Sequence, residues 1–230
     1  MKCHSMVCIL RRSLPRTSIF HIPGEVRERI HGYRTNQSKR AWQFIMSPKR
    51  KIIVYISTSV DGYIARPDGD VTWLDRPRPK GNYGMGAFNK SIDTILWGRK
   101  TYSKGIEMGM EKRMASGFGA GIQNYVFSRQ AQESKVSGFK FVGEPIKAFA
   151  QGLRKKRGKD IWIMGGGEII ASFLDEGEID ELIINVVPIV IGEGIPLIQA
   201  RHRYIRLKLV ASKAFPDGVV SRHYQVAGGK

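Results

Sequence analysis

Ile161-Trp162-Ile163-Met164-Gly165-Gly166-Gly167-Glu168-Ile169-Ile170 decides how this chain folds. A short apolar run bounded by glycines is expected to form a buried strand, here over 161–164. The glycine triplet ends it, and a helix is expected to follow at once over 168–174. Glycine permits a sharp turn and lets a ligand come close to the main chain. The N–H groups that open a helix then offer partial positive charge to a phosphate. A tight strand-to-helix turn that binds nothing would use the same residues, so the triplet alone leaves both readings open.

Upstream, Thr94-Ile95-Leu96-Trp97-Gly98-Arg99-Lys100-Thr101-Tyr102 repeats the plan of strand, glycine and helix start, with two cations and a hydroxyl at the turn. Arg99 and Lys100 suit phosphate oxygens, and Thr101 suits a helix cap or a phosphate hydrogen bond. Exposed basic residues beside a capped helix are the plainer alternative. Tyr125-Val126-Phe127-Ser128-Arg129 is a third strand, ending in a hydroxyl and a guanidinium. If these strands are neighbours in one parallel sheet, their ends cluster where such sheets bind ligands, beyond the carboxyl edge. None of the turns matches G-x-G-x-x-G, which argues against an ordinary Rossmann domain. A fourth stretch, Ser59-Val60-Asp61-Gly62-Tyr63-Ile64-Ala65, closes an expected strand over 51–59 with an Asp-Gly turn.

Around these landmarks strands and helices alternate. A loop bearing Pro and Gly spans 71–82, and a short helix over 83–91 turns Met85, Phe88 and Ile92 inward. Five glycines within 105–121 predict irregular, mobile chain. A strand over 140–142 precedes a helix over 145–156 that opens on Pro145 and has Ile146, Phe149, Ala150 and Leu153 as its stripe. The apolar run 182–191 reads as buried strand, expected over 181–187. Two last strands, about 208–215 and 219–226, join at Pro216-Asp217-Gly218. The result is an α/β fold whose mixed sheet is mostly parallel, with an antiparallel C-terminal hairpin.

With 230 residues, 42% of them hydrophobic, the chain holds one ordinary domain and spare sequence. No apolar run approaches the ~18 residues of a membrane span. Both cysteines, Cys3 and Cys8, lie in the leading segment, which excludes a disulfide scaffold or cysteine zinc site from the rest and fits a reducing, cytoplasmic setting. The five histidines lack ligand spacing, so no metal is expected. The net charge is +18, and residues 1–50, with eleven Lys or Arg against Glu25 and Glu28, hold half of it. Residues 1–47 show no sustained period and are expected to be a basic, disordered extension ahead of a domain over 48–230. A targeting segment, or a true start at Met46, are the alternatives.

Taken in order, Ser59 to Ala65, the run from Phe88 to Tyr102, Phe127-Ser128-Arg129, Met164 to Glu168 and Pro188-Ile189-Val190-Ile191-Gly192-Glu193-Gly194-Ile195-Pro196-Leu197 resemble the dihydrofolate reductase superfamily. The likeness covers about 51–226 and points to the pyrimidine reductase of riboflavin biosynthesis in a stand-alone form. It implies a three-layer dihydrofolate reductase-like fold with helices on both faces of the sheet, and NADPH as cofactor. By the same resemblance Gly98, Arg99, Lys100 and Thr101 would meet the cofactor pyrophosphate from one side, and Gly165, Gly166, Gly167, Glu168 and Ile169 from the other. Ser128 and Arg129 would hold the adenosine end, Arg129 suiting the 2′-phosphate of NADPH. Ser57 and Ile64 would flank the nicotinamide. A small-molecule substrate and a homodimer are implied in the same way.

The implied chemistry is hydride transfer from nicotinamide C4 to a polarised carbon of a small heterocycle or imine, such as a phosphoribosylaminouracil-type pyrimidine. Trp73, Tyr83 and Phe88 are candidates to line the substrate pocket, or else aromatic core. Asp61, Asp75 and Glu193 are candidate proton donors, or else ordinary turn and loop acids. Dihydrofolate itself is not expected, because the helix carboxylate that grips the pterin in dihydrofolate reductase falls here at Asn82 or Tyr83. The deaminase pattern H-x-E with P-C-x-x-C is absent, so the bifunctional form is not expected either. The rival class is a basic nucleotide- or nucleic-acid-binding protein on a reductase fold without catalysis. The charge favours it, yet half the excess precedes the domain, and no basic-aromatic nucleic-acid motif is present.

Overall fold

Strand β1 (Ile52–Thr58) is apolar on both sides: Ile52, Val54 and Ile56 pack into one layer and Ile53 and Tyr55 into another. A strand buried on both faces belongs inside a sheet that helices cover from either side. The computed structural model describes residues 49–227 apart from 117, 119–120 and 131–132. The extension expected over 1–47 lies outside the described residues.

After β1 come β2 (Tyr63–Ala65), α1 (Met85–Ser91), β3 (Ile92–Gly98), α2 (Arg99–Glu107), α3 (Glu111–Ser116), β4 (Gln123–Phe127) and β5 (Phe139–Val142). Then follow α4 (Ile146–Lys155), β6 (Asp160–Gly165), α5 (Gly167–Asp175), β7 (Glu181–Val186), β8 (Ile195–Pro196), β9 (Leu207–Ala214) and β10 (Val220–Val226). Eight strands form one sheet in the order β5-β4-β3-β6-β1-β7-β10-β9. Within it β10 is antiparallel to both neighbours and the other pairings are parallel. This is the expected mixed sheet with its antiparallel hairpin.

Helices α4 and α5 cover one face, setting Phe149, Ala150, Leu153, Ile170 and Phe173 over Val54, Leu96, Ile161 and Ile163. Helices α1, α2 and α3 cover the other, setting Phe88, Tyr102 and Met114 over Tyr55, Ile95, Trp97 and Trp162. The second layer is markedly the more aromatic.

Three local expectations are corrected. The helix expected over 83–91 begins at Met85, because Gly81, Asn82, Tyr83 and Gly84 have φ of 89°, 43°, 57° and 95° and form a left-handed turn. The glycine-rich stretch 105–121 is not all irregular: α2 runs through Gly105, and α3 follows. A side chain at Gly105 would meet Met114 Sδ at 2.6 Å, so this glycine serves helix–helix contact rather than a loop. The apolar run 182–191 leaves the sheet after Val186; Pro188 has no N–H to give a ladder, and Val190 is 70% exposed. The β2–β8 pair is additional, its strands too short to show a period.

The amino edge of the sheet is braced by charge. Arg50 reaches Asp93 and Thr94, while Arg154 reaches Glu178 at 3.2 Å, Asp180 at 2.6 Å and the Arg50 carbonyl at 2.8 Å. Nearby, burial pushes the Glu181 carboxyl up, but contacts to Lys51 at 2.7 Å and His223 at 3.0 Å outweigh it and leave it below its ordinary 4.5. A carboxyl depressed in the folded state adds stability above its unfolded pKa and loses it as pH falls through the folded value. Urea midpoints should therefore begin to drop below pH 4.5, with a shallower acid slope in Glu181→Gln; an unaltered slope would refute the coupling.

Candidate functional site

Strands β3 and β6 lie side by side, pairing Leu96 with Ile163 and Trp97 with Gly165. From β3 the chain enters α2 on the aromatic face, and from β6 it enters α5 on the opposite face. Helices that leave neighbouring strands to opposite faces open a crevice at the carboxyl edge, with both helix starts directed at it.

Glycine is what lets the two turns close on each other. A Cβ on Gly98 would press the Gly165 carbonyl at 3.2 Å and Ile169 Cγ2 at 3.4 Å. Gly165 and Gly166 hold φ of 132° and 52°, which L side chains avoid. A Cβ on Gly166 would stand 3.1 Å from Thr101 Oγ1, and that hydroxyl donates to the Gly165 carbonyl at 3.2 Å. Lys100 Nζ pairs with Glu168 Oε1 at 2.8 Å, joining one helix start to the other. The crevice thus gathers Gly98, Arg99, Lys100 and Thr101 with Gly165, Gly166, Gly167, Glu168 and Ile169. Arg99 is exposed and makes no ion pair among the described residues.

On one flank, β4 pairs Phe127 with Gly98, so Ser128 and Arg129 follow beside the first turn. Ser128 Oγ donates to the Gln130 carbonyl at 2.9 Å. Arg129 is exposed, again without an ion pair among the described residues. On the other flank, β1 carries Ser57, half-buried and paired with Asn185 of β7. By strand alternation Ser57 faces the same side as Tyr55.

Ile64 is half-buried on β2, which segment 194–199 fastens to α5. A Cβ on Gly194 would strike the Ala65 carbonyl, and one on Gly167 would strike the Pro196 carbonyl. The Gln199 N–H donates to the Gly167 carbonyl at 3.2 Å.

The aromatic candidates divide. Phe88 is buried in the second layer, stacked on Tyr55 with centroids 4.6 Å apart and edge-on to Trp162 at 5.4 Å. Trp73 packs on Val187 and Val219, with Tyr83 alongside. Tyr83 donates its hydroxyl to Asp217 Oδ2 at 2.5 Å, sets its ring edge-on to Phe215, and accepts the Tyr55 hydroxyl on its carbonyl at 2.9 Å. These ties hold a tyrosine in a left-handed conformation that its Cβ disfavours. Burial and the Asp217 carboxylate push the Tyr83 hydroxyl up, and the Tyr83 hydrogen bond holds Asp217 below the usual carboxylate range.

Among the acids, Asp61 is occupied. A hydrogen bond from Ser59 and the N–H groups of Gly192 (2.7 Å) and Ile191 (3.2 Å) hold its carboxyl low. Such a carboxylate stays ionised near neutral pH and makes a poor proton donor. Its effect is to pin the loop after β7 to the turn after β1. Asp75 is exposed behind the 3₁₀ turn Thr72–Leu74, and Glu193 is exposed beside Gly194.

Asn185 was not singled out from the sequence. It is 1% exposed, and among the described residues its Oδ1 has no hydrogen-bond partner, nor does Trp73 Nε1. Burial pushes the Tyr55 hydroxyl up while a hydrogen bond with Asn185 opposes it. The signal was a lone amide inside the apolar run 182–191, since buried polar groups are rarely left without a purpose.

Comparison with known proteins agrees with the fold. Residues 50–221 match the family model described as the RibD C-terminal domain. YwjB of Bacillus subtilis strain 168, an uncharacterised protein, is 35% identical over 177 residues, 76% of this chain and 98% of YwjB. A putative riboflavin biosynthesis protein from Shewanella sp. PV-4 superposes with a TM-score of 0.68 at 26% identity, over 77% of this chain and 99% of that one. Dihydrofolate reductase from Enterococcus faecalis, complexed with NADP(H), superposes with a TM-score of 0.57 at 12% identity, over 78% and 98%, a likeness of fold alone. No described helix is long and apolar enough to cross a membrane. No described group of His, Cys, Asp and Glu could hold a metal ion. The fold is the dihydrofolate reductase-like α/β fold, and by the match over residues 50–221 the chain belongs to the RibD C-terminal domain family.

Proposed function

We propose that the protein is an NADPH-dependent reductase acting on a small heterocyclic or imine-type substrate, of the phosphoribosylaminouracil class. The observation that carries this reading is the crevice between β3 and β6, where two glycine turns and two helix starts meet beside Arg99 and Arg129, which make no ion pair among the described residues. The residues fit a dinucleotide. A side chain at Gly98 or Gly166 would narrow the cradle in which phosphates would lie. Arg99 and the first-turn N–H groups of α5 would hold the pyrophosphate, and Arg129 the 2′-phosphate. Bound there, the nicotinamide would supply a hydride; the protein's part is to orient it against substrate and exclude water.

Ser57 and Ile64 would flank that ring, with Tyr55, Asn185, Trp73 and Tyr83 on the substrate side. The family's expected homodimer remains part of this reading, the exposed Leu207, Leu209 and Val210 of edge strand β9 being apolar surface for it to cover.

Titration calorimetry of the full chain with NADPH and NADH tests the cofactor, followed by turnover with a phosphoribosylaminouracil and with dihydrofolate. Arg129→Ala should weaken NADPH about 10–100-fold, the worth of a charged hydrogen bond, and leave NADH nearly unchanged. Absence of NADPH binding by the unaltered chain would defeat the proposal. A second reading, a nucleotide-binding protein without catalysis, draws on the engagement of Asp61 by backbone N–H groups. Tight NADPH binding with no oxidation of it by either substrate would favour that reading.

A further inference from the structure

Lys100 and Glu168 each occupy the second position of their helices, and their ion pair is the one charged contact that spans the two turns among the described residues. Both side chains are exposed, at 85% and 60%, so the pair contributes little stability and is easily rearranged. Yet its position is not neutral. Lys100 is one of the cations nearest the cradle, and the pair commits its ammonium to a carboxylate that stands where a phosphate would also seek it. A carboxylate at the start of a helix is itself favoured by the helix dipole, so Glu168 is content without any ligand. With a pyrophosphate beside it, two negative groups would share one helix start.

We infer that Glu168 is an internal competitor for the cofactor pyrophosphate: by holding Lys100 through their ion pair, it sets how tightly the crevice binds a dinucleotide. The inference rests on the crevice being the nucleotide site, as proposed above. It assigns Glu168 an effect opposite to that of its neighbours, since the glycines and Arg99 favour the anion and Glu168 opposes it. Lys100 then has two partners, and binding exchanges one for the other without any change of fold.

The test is calorimetric titration of full chains with NADPH at low and at high salt, far-UV circular dichroism verifying the fold of each variant. Glu168→Gln should bind NADPH about tenfold more tightly at low salt, the scale of one ammonium freed to act on a phosphate a few ångströms away in a mostly aqueous setting. That gain should shrink at high salt, where exposed charges are screened. Glu168→Asp, which keeps the charge, should show a smaller gain than Glu168→Gln. Adding Lys100→Met to Glu168→Gln should cancel the gain, because the freed ammonium is its source, and the double-mutant cycle should show coupling.

Unaltered or weaker binding by Glu168→Gln, while the parent chain binds NADPH, would overturn the inference and leave the reductase reading standing. Failure of the parent chain to bind NADPH would overturn both.

Discussion

Arg154→Ala is expected to cost about 3–5 kcal/mol of folding stability, the typical consequence of leaving one member of a buried ion pair without its partner. The Arg154 and Glu178 side chains are 6% and 9% exposed, so neither charge can turn to water for compensation. The guanidinium also bonds the Glu178 carbonyl at 2.9 Å and the Arg50 carbonyl at 2.8 Å, which ties α4 to the chain entering β1 and β7. Alanine removes these bonds together and strands a carboxylate beneath α4. Urea unfolding of the full chain measures the loss. A double replacement, Arg154→Met with Glu178→Leu, should recover much of it, since two apolar groups need no partner. A loss below about 1 kcal/mol would mean that Glu178 finds solvent on its own.

Gly167→Ala is expected to damage the fold and the crevice together. The added Cβ would strike the Pro196 carbonyl, and the Gln199 N–H that donates to the Gly167 carbonyl would be pushed off as well. Both obstacles are backbone, which cannot step aside by changing rotamer, so about 1–3 kcal/mol of strain is expected. The start of α5 and segment 194–199 would separate, and nucleotide affinity should fall with stability. Gly86→Ala in α1 is the matched control: no described atom lies within 4 Å of its Cβ, and a gain of about 0.5–1 kcal/mol is expected from the lowered freedom of the unfolded chain. Thermal unfolding and NADPH titration of the two variants side by side check both statements; equal stability of the two would refute the backbone clash.

The contrast among glycines shows what sequence carries and what it does not. Gly98 and Gly165–Gly167 were legible because each ends an apolar run and opens a helix, so local order states their use. Gly105 was misread as loop because its reason, the sulfur of Met114, stands on another helix. The left-handed turn before α1 was invisible for a similar cause. Nothing local asks Asn82 and Tyr83 for positive φ, and the hydroxyl partner that steadies Tyr83, Asp217, is 134 residues away. Asp61 could be read as acid or as turn residue until the N–H of Ile191, 130 residues on, took up its carboxylate. The proposed cofactor half lies at strand ends and was marked by motif. The proposed substrate half would draw on Tyr55, Trp73, Tyr83 and Asn185, which come from four separate elements and loops and share no pattern in the chain.

The concentration of aromatic rings on one face of the sheet gives the protein a one-sided optical signature. Trp97 and Trp162, 4% and 3% exposed, share the layer under α1, α2 and α3, and both stand near the Phe118 ring. Trp73 is 8% exposed in the small cluster with Val187 and Val219, and the layer under α4 and α5 holds no described tryptophan. Indole emission from the folded domain should therefore be that of rings in dry surroundings. It should follow events on the aromatic side closely, while rearrangements confined to α4 and α5 stay dark.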